Sequence, residues 1–543
     1  MMQLSEAAHV LHAQQITGDG DVRFFAVSTD TRELQPGDLY VALRGEHFDG
    51  ADFIAQAEGA GAVAALVNKD SFEKLTTPLS AAVTAAGTAR PTPCEWNHES
   101  FTQQPGVQPL SCAGKTLHSG IGDLSPYIPW EDPCDLAVPL LNPAFPILLV
   151  EDTRLALGQL AAYWRHQFDI PLVAITGSNG KTTVKEMTAG ILRAAAGSDE
   201  AVLATLGNLN NDIGMPLTLL QLNARHRYAV IEMGMNHAGE IDYLTRIACP
   251  QVALINNASG AHLEGMGSLE AVARAKGEIL AGLQYGGSAI INADDAYAPL
   301  WRSLAGANSL LEFGLSSEAD VSGIWRPLAT GLQLAVQTPK GDFTVNMQVP
   351  GEHNARNALA ATAVAIALNL PLESVAAGLE KFGGVVGRLQ RKQARCGAVV
   401  IDDTYNANPA SLHAAIAVLA DASGHRVLVL GDMGELGENA ADFHAEIGIA
   451  ARAAGIEKLY TLGELSRIAA REFGDKAQHF ENIEELQKSL KKELHAGTTV
   501  LVKGSRFMKM ERVVKYLVSS ESEASSGIST SRLPLTTYHL PRE

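Results

Sequence analysis

The sequence predicts an α/β protein of three domains: a small N-terminal α/β domain, a central domain with a mostly parallel sheet, and a C-terminal doubly wound domain. The first indication is length, because 543 residues exceed one ordinary domain and suggest about three. The second is the repeated alternation of short apolar runs with helix-like stretches, which is typical of parallel sheets. The third is a hydrophobic content of 46%, which is enough for several buried cores.

Charge and composition exclude several classes of function. A net charge of −18 argues against a nucleic-acid-binding surface. The first residues lack a basic segment followed by an apolar core, so no signal peptide is predicted, and no apolar run reaches the ~18 residues of a membrane-spanning helix. The five cysteines have no metal-ligand spacing, which favours a reducing compartment. We expect a cytoplasmic monomer that binds no nucleic acid and does not insert into membranes.

Residues 1–70 are predicted to form the N-terminal domain. Residues 24–27 and 38–43 have the pattern of strands, and a polar loop follows each of them, at residues 28–37 and 44–50. Loops that follow neighbouring strands of an open sheet often hold a ligand. On the residues alone, ordinary surface loops remain the alternative.

Residues 71–146 are predicted to be an irregular, Pro-rich insertion. They contain nearly half of the chain's 23 prolines, and this density prevents regular structure. Three cysteines lie here, Cys94, Cys112 and Cys134, but their wide spacing matches no zinc-site pattern, so we expect unpaired surface thiols. The Ser-rich tail, residues 519–543, is expected to be disordered.

Residues 147–384 are predicted to form a central P-loop ATPase-like domain with a parallel sheet. A strand at residues 172–175 leads into the sequence TGSNGKTT at residues 176–183, and a helical pattern follows. Glycines there let backbone N–H groups approach a phosphate, Lys181 would bridge the β- and γ-phosphates, and Thr182 would contact Mg²⁺. The loop is shorter than the common GxxxxGK[ST] pattern, so a glycine turn without a nucleotide remains the alternative.

Further polar residues follow the other predicted strands of this domain. Asn210 and Asn211 suit either a polar substrate or a turn. Glu232 ends a strand, where a carboxylate beside a phosphate loop is a natural Mg²⁺ ligand. His262 follows the next strand at the corresponding sheet edge, so we interpret it as a ligand. Lys276 lies in a predicted helix, and composition alone would predict a solvated surface lysine.

Residues 385–518 are predicted to form a C-terminal Rossmann-like domain. Apolar strands are expected at residues 398–401, 426–430, 458–461 and 499–503, separated by helical stretches.

Taken together, these motifs resemble the Mur ligase family, the ATP-dependent amide ligases of peptidoglycan precursor synthesis. The resemblance covers residues 1–70 and 147–518. Matching stretches are residues 28–37, 44–50, 176–183, 207–216, 232–240, 261–267, 275–279, 351–359, 387–389, 402–409, 431–437 and 502–506. The resemblance implies that ATP phosphorylates a substrate carboxylate, and that an amine then displaces phosphate from the acyl phosphate.

The resemblance also assigns residues to roles. For ATP it implies Gly177, Ser178, Asn179, Gly180, Lys181, Thr182, Thr183, Asn354, Arg388 and Asp403. For two Mg²⁺ ions it implies Thr182 with Glu232, and His262 with carbamylated Lys276. The catalytic residues that it implies are Lys181, Glu232, His262 and Lys276. For the substrates it implies Ser28, Arg32, Gly45, His47, Asp49, Asn210, Asn211, His237, Asn406 and Asn408.

Within the family, the sequence favours addition of D-Ala-D-Ala to UDP-MurNAc-tripeptide. The member that adds the third residue recognises its amino acid with Asp-Asn-Pro-Arg, whereas this chain has NANP at residues 406–409. A sister ligase such as a folylpolyglutamate synthase is one alternative, although such synthases lack the N-terminal loops. A non-catalytic nucleotide-binding regulator is another, although it would not need both metal sites. No general base for the amine is evident from the sequence.

Overall fold

The computed structural model describes residues 1–18, 22–76, 142, 144–260, 263–328 and 330–518. The chain forms two compact units, residues 1–153 and the residues from 154 onward. The first unit has one main sheet and the second has two, so the fold is the mixed α/β architecture that the sequence predicts. Most of the predicted insertion with its three cysteines, the C-terminal tail and His262 lie outside the described residues.

The first unit alternates short strands with helices: β1 (Met2–Gln3), α1 (Leu4–Leu11), β2 (Gln14–Thr17), β3 (Arg23–Phe24), β4 (Val27–Ser28), β5 (Leu39–Val41), α2 (Ile54–Gly59), β6 (Ala64–Asn68), α3 (Lys69–Thr76) and β7 (Ile147–Val150). Its described strands form a sheet in the order β2-β7-β6-β5-β4, in which β4 to β7 are parallel and β2 is antiparallel. Tyr40, Ile54, Val67 and Ile147 belong to its buried core.

Two boundaries of this unit differ from the prediction. β7 was predicted to open the central domain, but it pairs with β6 and β2 and so belongs to the first sheet. The helix α3 (Lys69–Thr76) extends over residues 71–76, for which the sequence predicts irregular structure. Ser71 is buried and donates to Asp49 at 2.5 Å, and Phe72 packs against the core. These are tertiary contacts, which a local sequence pattern does not reveal.

The central sheet contains β8 (Leu172–Thr176), β9 (Val202–Ala204), β10 (Tyr228–Glu232), β11 (Val252–Ile255), β12 (Ser288–Asn292), β13 (Ser309–Gly314), β14 (Val321–Leu328), β15 (Gly331–Gln337) and β16 (Phe343–Met347). In the described chain their order is β16-β15-β14-β13-β12-β11-β8-β10-β9. The seven neighbouring strands β14, β13, β12, β11, β8, β10 and β9 are parallel, and β15 and β16 form an antiparallel edge of the sheet. Because the chain leaves β8 for one side of the sheet and later returns on the other, the loop after β8 lies at a switch point, where ligands usually bind.

Helices cover this sheet: α4 (Thr153–Arg165), α5 (Lys181–Ala196), α6 (Gly214–Leu219), α7 (Glu240–Ala248), α8 (Leu263–Met266), α9 (Leu269–Gly277), α10 (Ala298–Ala305), α11 (Glu352–Ala367) and α12 (Leu372–Glu380). The helix α5, which follows the phosphate loop, packs against α11 and α12. Gly190 of α5 faces Gly378 of α12, and a Cβ on Gly378 would lie 2.5 Å from the Ile191 backbone. The two glycines therefore set how closely α12 approaches α5.

The C-terminal sheet contains β17 (Gln390–Gln393), β18 (Val399–Asp403), β19 (His425–Gly431), β20 (Lys458–Leu462), β21 (Ala477–Phe480) and β22 (Thr498–Lys503). Its helices are α13 (Pro409–Ala420), α14 (Ala440–Ala453), α15 (Ser466–Phe473), α16 (Ile483–Glu493) and α17 (Glu511–Val518). The described strand order is β17-β18-β22-β19-β20-β21, and β17 pairs antiparallel while the others are parallel. Val427 and Val429 join the core on one face, whereas Leu428 and Leu430 join the core on the other.

Burial on both faces of the sheet confirms the predicted Rossmann-like domain. In none of the described segments does a helix have both the length and the apolar composition needed to cross a bilayer.

Candidate active site

The loop between β8 and α5 has the backbone geometry of a phosphate cradle. Gly180 lies just before α5 with a φ of 77°, a conformation that favours glycine. A Cβ at this position would lie 2.6 Å from both Asn256 Nδ2 and Asn357 Oδ1. The loop therefore requires glycine for its conformation and for its packing, and it leaves backbone N–H groups at a helix N-terminus.

Two asparagines at the end of β11 hold this loop in place. Asn256 Nδ2 and Asn257 Nδ2 donate to Asn179 O at 2.9 and 3.0 Å, and Asn257 Oδ1 accepts from Asn179 N at 2.9 Å. Ser178 N also donates to Asn257 O at 3.0 Å. These two residues are not identifiable from the sequence alone, because asparagines after a strand are equally typical of turns.

Glu232 is the centre of a buried polar cluster beside the loop. It is 2% exposed, and its two carboxylate oxygens accept from Thr182 Oγ1 and Asn210 Nδ2, both at 2.8 Å. Arg388 Nη2 donates to the same Thr182 hydroxyl at 2.8 Å. The fold thus brings together residues from α5, β10 and the start of the C-terminal domain.

Two lysines lie near this cluster, the half-buried Lys181 and the buried Lys276. Lys181 Nζ donates to Gly177 O at 2.6 Å, and burial lowers the pKa of Lys181 while Glu232 acts in the opposite direction. Lys276 on α9 is 1% exposed, and burial, followed by the positive charge of Lys181, holds the pKa of Lys276 well below its usual range. No hydrogen bond joins the Lys276 amine to another residue in the described part of the chain. The surface position that composition alone predicts for Lys276 is therefore wrong, because its face of α9 is turned into the domain.

A cavity of about 520 Å³ adjoins the phosphate loop. Most residues that the resemblance assigns to ATP or to the dipeptide line it: Ser178, Asn179, Gly180, Lys181, Thr183, Asn354, Arg388, Asp403, Asn406 and Asn408. The remaining two residues of the phosphate loop segment, Gly177 and Thr182, lie directly beside these. The cavity thus combines the phosphate loop with residues of the C-terminal domain.

Hydrogen bonds and ring contacts order the C-terminal side of this cavity. Asp403 accepts from Lys503 Nζ at 2.6 Å and from Leu389 N at 3.1 Å. The Arg388 guanidinium lies 4.3 Å from the centre of the Tyr405 ring, a cation–π geometry.

Asn408 links the C-terminal domain to the phosphate loop. Its Oδ1 accepts from Ser411 N at 2.8 Å and caps α13, while its Nδ2 donates to Asn179 Oδ1 at 2.8 Å. Together with the bond from Arg388 to Thr182, this contact places α13 beside the phosphate loop.

Three polar atoms around the cavity are buried and have no hydrogen-bond partner in the described structure: Asn256 Oδ1, His353 Nε2 and Arg388 Nε. Burial lowers the pKa of His353 to about 4, so its imidazole is neutral at physiological pH. Buried polar atoms are normally paired, so such atoms around a cavity indicate a ligand. His353 is not among the site residues predicted from the sequence, although it precedes Asn354 in a stretch that the resemblance covers.

Two predicted substrate residues, Asn211 and His237, make contacts within their own segments of the chain. Asn211 Oδ1 accepts from Gly214 N at 2.9 Å at the start of α6, which is turn chemistry, the alternative left open by the sequence. His237 is exposed and its Nδ1 lies 3.0 Å from Glu240 Oε1. Neither residue lines the cavity.

The residues predicted to hold the nucleotide end of the substrate lie in two loops of the first unit: Ser28, Arg32, Gly45, His47 and Asp49. Arg32 pairs with Asp30 at 2.5 Å, and its hydrogen bonds lower the pKa of Asp30 to about 2. Asp49 accepts from Ala51 N at 3.0 Å and from Ser71, so its carboxylate supports the fold of its loop. Gly45 and His47 are exposed.

The oxygen atoms of the buried cluster suit a hard cation. Among the described side chains, no group of three or more His, Cys, Asp and Glu has the arrangement of a metal site. The Thr182 hydroxyl and the Glu232 carboxylate, 2.8 Å apart, are nevertheless oxygen donors of the type that Mg²⁺ prefers. A carbamate on Lys276 would add further oxygen donors, so the chemistry of the donor set fits Mg²⁺.

Comparison with known proteins identifies the family. Family models match residues 24–92 (Mur ligase family, catalytic domain), 175–365 (Mur ligase middle domain) and 387–506 (Mur ligase, glutamate ligase domain). The UDP-N-acetylmuramoyl-tripeptide–D-alanyl-D-alanine ligase of Escherichia coli (strain K12) is 38% identical over 519 residues, covering 95% of this chain and 98% of that protein. Its counterpart from Haemophilus influenzae is 37% identical over 523 residues, with the same coverage.

A crystal structure of MurF from Acinetobacter baumannii superimposes with a TM-score of 0.77 at 32% identity, covering 95% of this chain and 98% of that one. The family models, the relatives and the fold agree over nearly the whole length of these proteins. The chain therefore belongs to the Mur ligase family.

Proposed function

We propose that this protein is a carbon–nitrogen ligase that uses ATP to join D-Ala-D-Ala to UDP-MurNAc-tripeptide in peptidoglycan precursor synthesis. The products are UDP-MurNAc-pentapeptide, ADP and phosphate. The relatives that carry this name match nearly end to end. The observation that carries the proposal is the cluster of Thr182, Glu232 and Arg388, in which both domains of the second unit meet beside the phosphate loop.

The reaction needs positioning and charge stabilisation rather than a side-chain nucleophile. The tripeptide carboxylate attacks the γ-phosphorus of ATP, and the acyl phosphate forms as ADP leaves. The dipeptide amine then attacks the acyl carbon, the new C–N bond forms, and phosphate leaves with its C–O bond broken. Lys181 and the loop N–H groups hold phosphate oxygens, and Arg388 stabilises negative charge next to Thr182.

Two Mg²⁺ ions are part of the proposal. Thr182 and Glu232 would hold one ion, and carbamylated Lys276 would hold the other with His262, which lies outside the described residues. When bound, the ions would neutralise charge on the phosphoryl oxygens. The low pKa of Lys276 favours its neutral amine, the form that reacts with CO₂ and releases a proton.

The two substrates would occupy different parts of the chain. The loops that carry Ser28, Arg32, Gly45, His47 and Asp49 would take the nucleotide end of the UDP substrate. Asn406 and Asn408 would face the dipeptide, since they line the cavity beside the phosphate loop. The use of ATP and of a nucleotide-linked precursor supports a cytoplasmic location as part of the proposal, and the monomeric state stays a prediction.

Phosphate release from ATP tests the function. The purified protein with Mg²⁺ and UDP-MurNAc-tripeptide is expected to release phosphate only when D-Ala-D-Ala is also present, with pentapeptide as the product. Release that depends on a single free amino acid and a shorter peptide would instead assign a sister ligase. Absence of turnover with every combination would contradict a ligase function altogether.

A further inference from the structure

One lysine of α5 is buried together with its charge, three residues after Thr182. Lys185 is 0% exposed, and its Nζ donates to Glu186 Oε1 at 2.5 Å and to Thr205 O at 2.6 Å. An ammonium group loses hydration when it is buried, so it is tolerated only where its hydrogen bonds are made. Pairing with Glu186 balances the charge, and the bond to Thr205 O connects α5 with the chain that leaves β9.

Thr205 joins this lysine to the backbone of Glu232. The pairing of β9 with β10 ends at Ala204, and Glu232 N donates instead to the Thr205 hydroxyl at 2.9 Å. Thr205 is 1% exposed, and its own N donates to Val230 O at 3.1 Å. The carbonyl and the hydroxyl of one residue thus link Lys185 on α5 to Glu232 on β10.

The segment that follows Thr205 also holds the Glu232 carboxylate. Asn210 Nδ2 donates to Glu232 Oε1 at 2.8 Å, and Asn210 O accepts from Gly234 N at 2.8 Å. Residues 206–209, between these two anchors, are exposed, and they include two leucines. Burial of apolar side chains therefore does not fix this segment. Its position depends on the polar contacts at its two ends, and the buried ammonium makes one of them.

The space beside this part of α5 is open. A cavity of about 920 Å³ is bordered by Thr182, Lys185 and Glu186 on the helix and by Gly207 on the segment. Where a cavity replaces close packing, dispersion contacts are missing, so directed hydrogen bonds carry more of the positioning.

We propose that Lys185 is a positioning residue for the Glu232 carboxylate and acts through Thr205. It fixes the end of β9 against the helix that carries Thr182, and this keeps Thr182 Oγ1 and Glu232 Oε2 2.8 Å apart, a distance that lets both oxygens contact one Mg²⁺ ion. Groups that support a ligating carboxylate orient it and so raise its affinity for the metal. The inference rests on the proposed function in taking Glu232 as a ligand of Mg²⁺ beside the ATP phosphates.

Steady-state kinetics of Lys185→Met give the first test, because methionine keeps the bulk and removes both hydrogen bonds. We expect kcat to fall about tenfold or more, as for loss of a charged hydrogen bond, while the KM for D-Ala-D-Ala stays the same. Lys185→Arg keeps a charged donor and should recover part of the loss. Arg193→Met removes a cation from the same helix and the same cavity, and it should behave as the parent protein. An equal fall in kcat for Arg193→Met would contradict the role assigned to Lys185.

Thr205→Val tests the same connection without disturbing a buried charge. It removes the hydroxyl that accepts from Glu232 N, so kcat should fall as in Lys185→Met. Because both substitutions break one chain of contacts, the double variant should be no slower than the slower of the two single variants. Losses that add in full would show that Lys185 and Thr205 act independently.

Calorimetry separates positioning of Glu232 from damage to α5. The probe is β,γ-methylene-ATP, an ATP analogue that is not cleaved, titrated with and without Mg²⁺. Mg²⁺ should strengthen its binding to the parent protein, and this gain should be about tenfold smaller in Lys185→Met and in Thr205→Val. The affinity measured without Mg²⁺ should be unchanged, because it reports on the phosphate loop rather than on Glu232.

Two calorimetric results in the variants would overturn the inference: equal losses of affinity with and without Mg²⁺, or a full gain from Mg²⁺ in both variants. A parent protein whose affinity does not respond to Mg²⁺ would overturn it as well. If the parent protein responds to Mg²⁺ and yet forms no pentapeptide, the proposed function fails, and calorimetry alone then decides the role of Lys185.

Discussion

At the scale of single residues, the buried Lys276 of the site destabilises the folded protein at neutral pH. The unfolded chain carries a lysine ammonium at neutral pH, whereas burial favours the neutral amine in the folded protein. Below the ordinary lysine pKa, the unfolded state therefore binds one proton more than the folded state. This proton stabilises the unfolded state and so reduces the free energy of unfolding. The reduction becomes smaller as the pH rises towards the ordinary lysine pKa.

Replacing Lys276 with Met, which has a similar size and no titratable group, should remove this reduction in the free energy of unfolding. In CO₂-free buffer at pH 7 we expect Lys276→Met to unfold at a temperature higher by about 3 °C, with the gain decreasing towards pH 10. Phosphate release should be abolished. The exposed Lys488→Met serves as the control and should change neither property. A variant that is less stable at pH 7, or that retains turnover, would contradict this explanation.

His353 presents an unpaired, buried Nε2 at the nucleotide cavity. His353→Phe removes that atom, so the KM for ATP should rise by about tenfold while the KM for D-Ala-D-Ala stays the same.

The pKa of His353, about 4, lies below the ordinary value of 6.5, so the unfolded state binds more protons between these values. Stability of the parent protein should therefore decrease as pH falls from 6.5 to 4.

The variant His353→Phe should lose less stability over this interval, and His9→Phe, at an exposed position of α1, should follow the parent protein. Chemical denaturation at pH 7 and pH 5 measures the difference. Equal pH dependence of the parent and of His353→Phe would show that this imidazole is not the buried neutral group described above.

At the scale of elements, the contact between α5 and α12 depends on the absence of a side chain. A Cβ on Gly378 would lie 2.5 Å from Cα and N of Ile191, and these backbone atoms cannot rotate away. Gly378→Ala should therefore lower the free energy of unfolding by about 1–3 kcal/mol, despite the higher helix propensity of alanine.

Gly59 in α2 offers a matched control, because a Cβ there has no heavy atom within 4 Å. Gly59→Ala should leave stability unchanged or raise it by up to about 1 kcal/mol. Thermal and urea denaturation of both variants measure these changes in stability. Equal effects of the two substitutions would mean that helix packing is not the cause.

Local patterns predicted the elements themselves better than their partners. β8, the glycine loop and α5 followed from an apolar run, two glycines and a helical period, and the structure has them in that order. The pairing of β7 was not predictable in this way, because an apolar run of four residues fits either sheet. The burial of Lys276 and the role of Asn256 in holding the loop depend on neighbours distant in sequence, so neither follows from residue type alone.

At the scale of the whole molecule, the nucleotide cavity is complete only because two domains of the second unit meet. Arg388 and Asn408 reach Thr182 and Asn179 over more than 200 residues of chain. A site assembled in this way can form and open as the domains move, and closure of this kind is common where water must be excluded. Only the tertiary structure shows that these four residues are neighbours.

The described strands of the first unit lie on both sides of the segment between α3 and β7. They come from residues 1–76 and 144–153, and Thr17 Oγ1 holds the returning chain by donating to Phe145 O at 2.5 Å. We therefore expect that replacing residues 79–139 with a flexible Gly-Ser linker of about fifteen residues leaves kcat and the KM for UDP-MurNAc-tripeptide within about twofold of the parent.

A longer deletion provides the control for this experiment. Replacing residues 71–139 also removes Ser71, which donates to Asp49, and Phe72, which packs on the core. Because Asp49 lies in a loop proposed to hold the UDP substrate, the KM for that substrate should rise in this variant while the KM for ATP stays constant. If the shorter deletion alone raised the KM for the UDP substrate, the segment between residues 79 and 139 would contribute to that binding site.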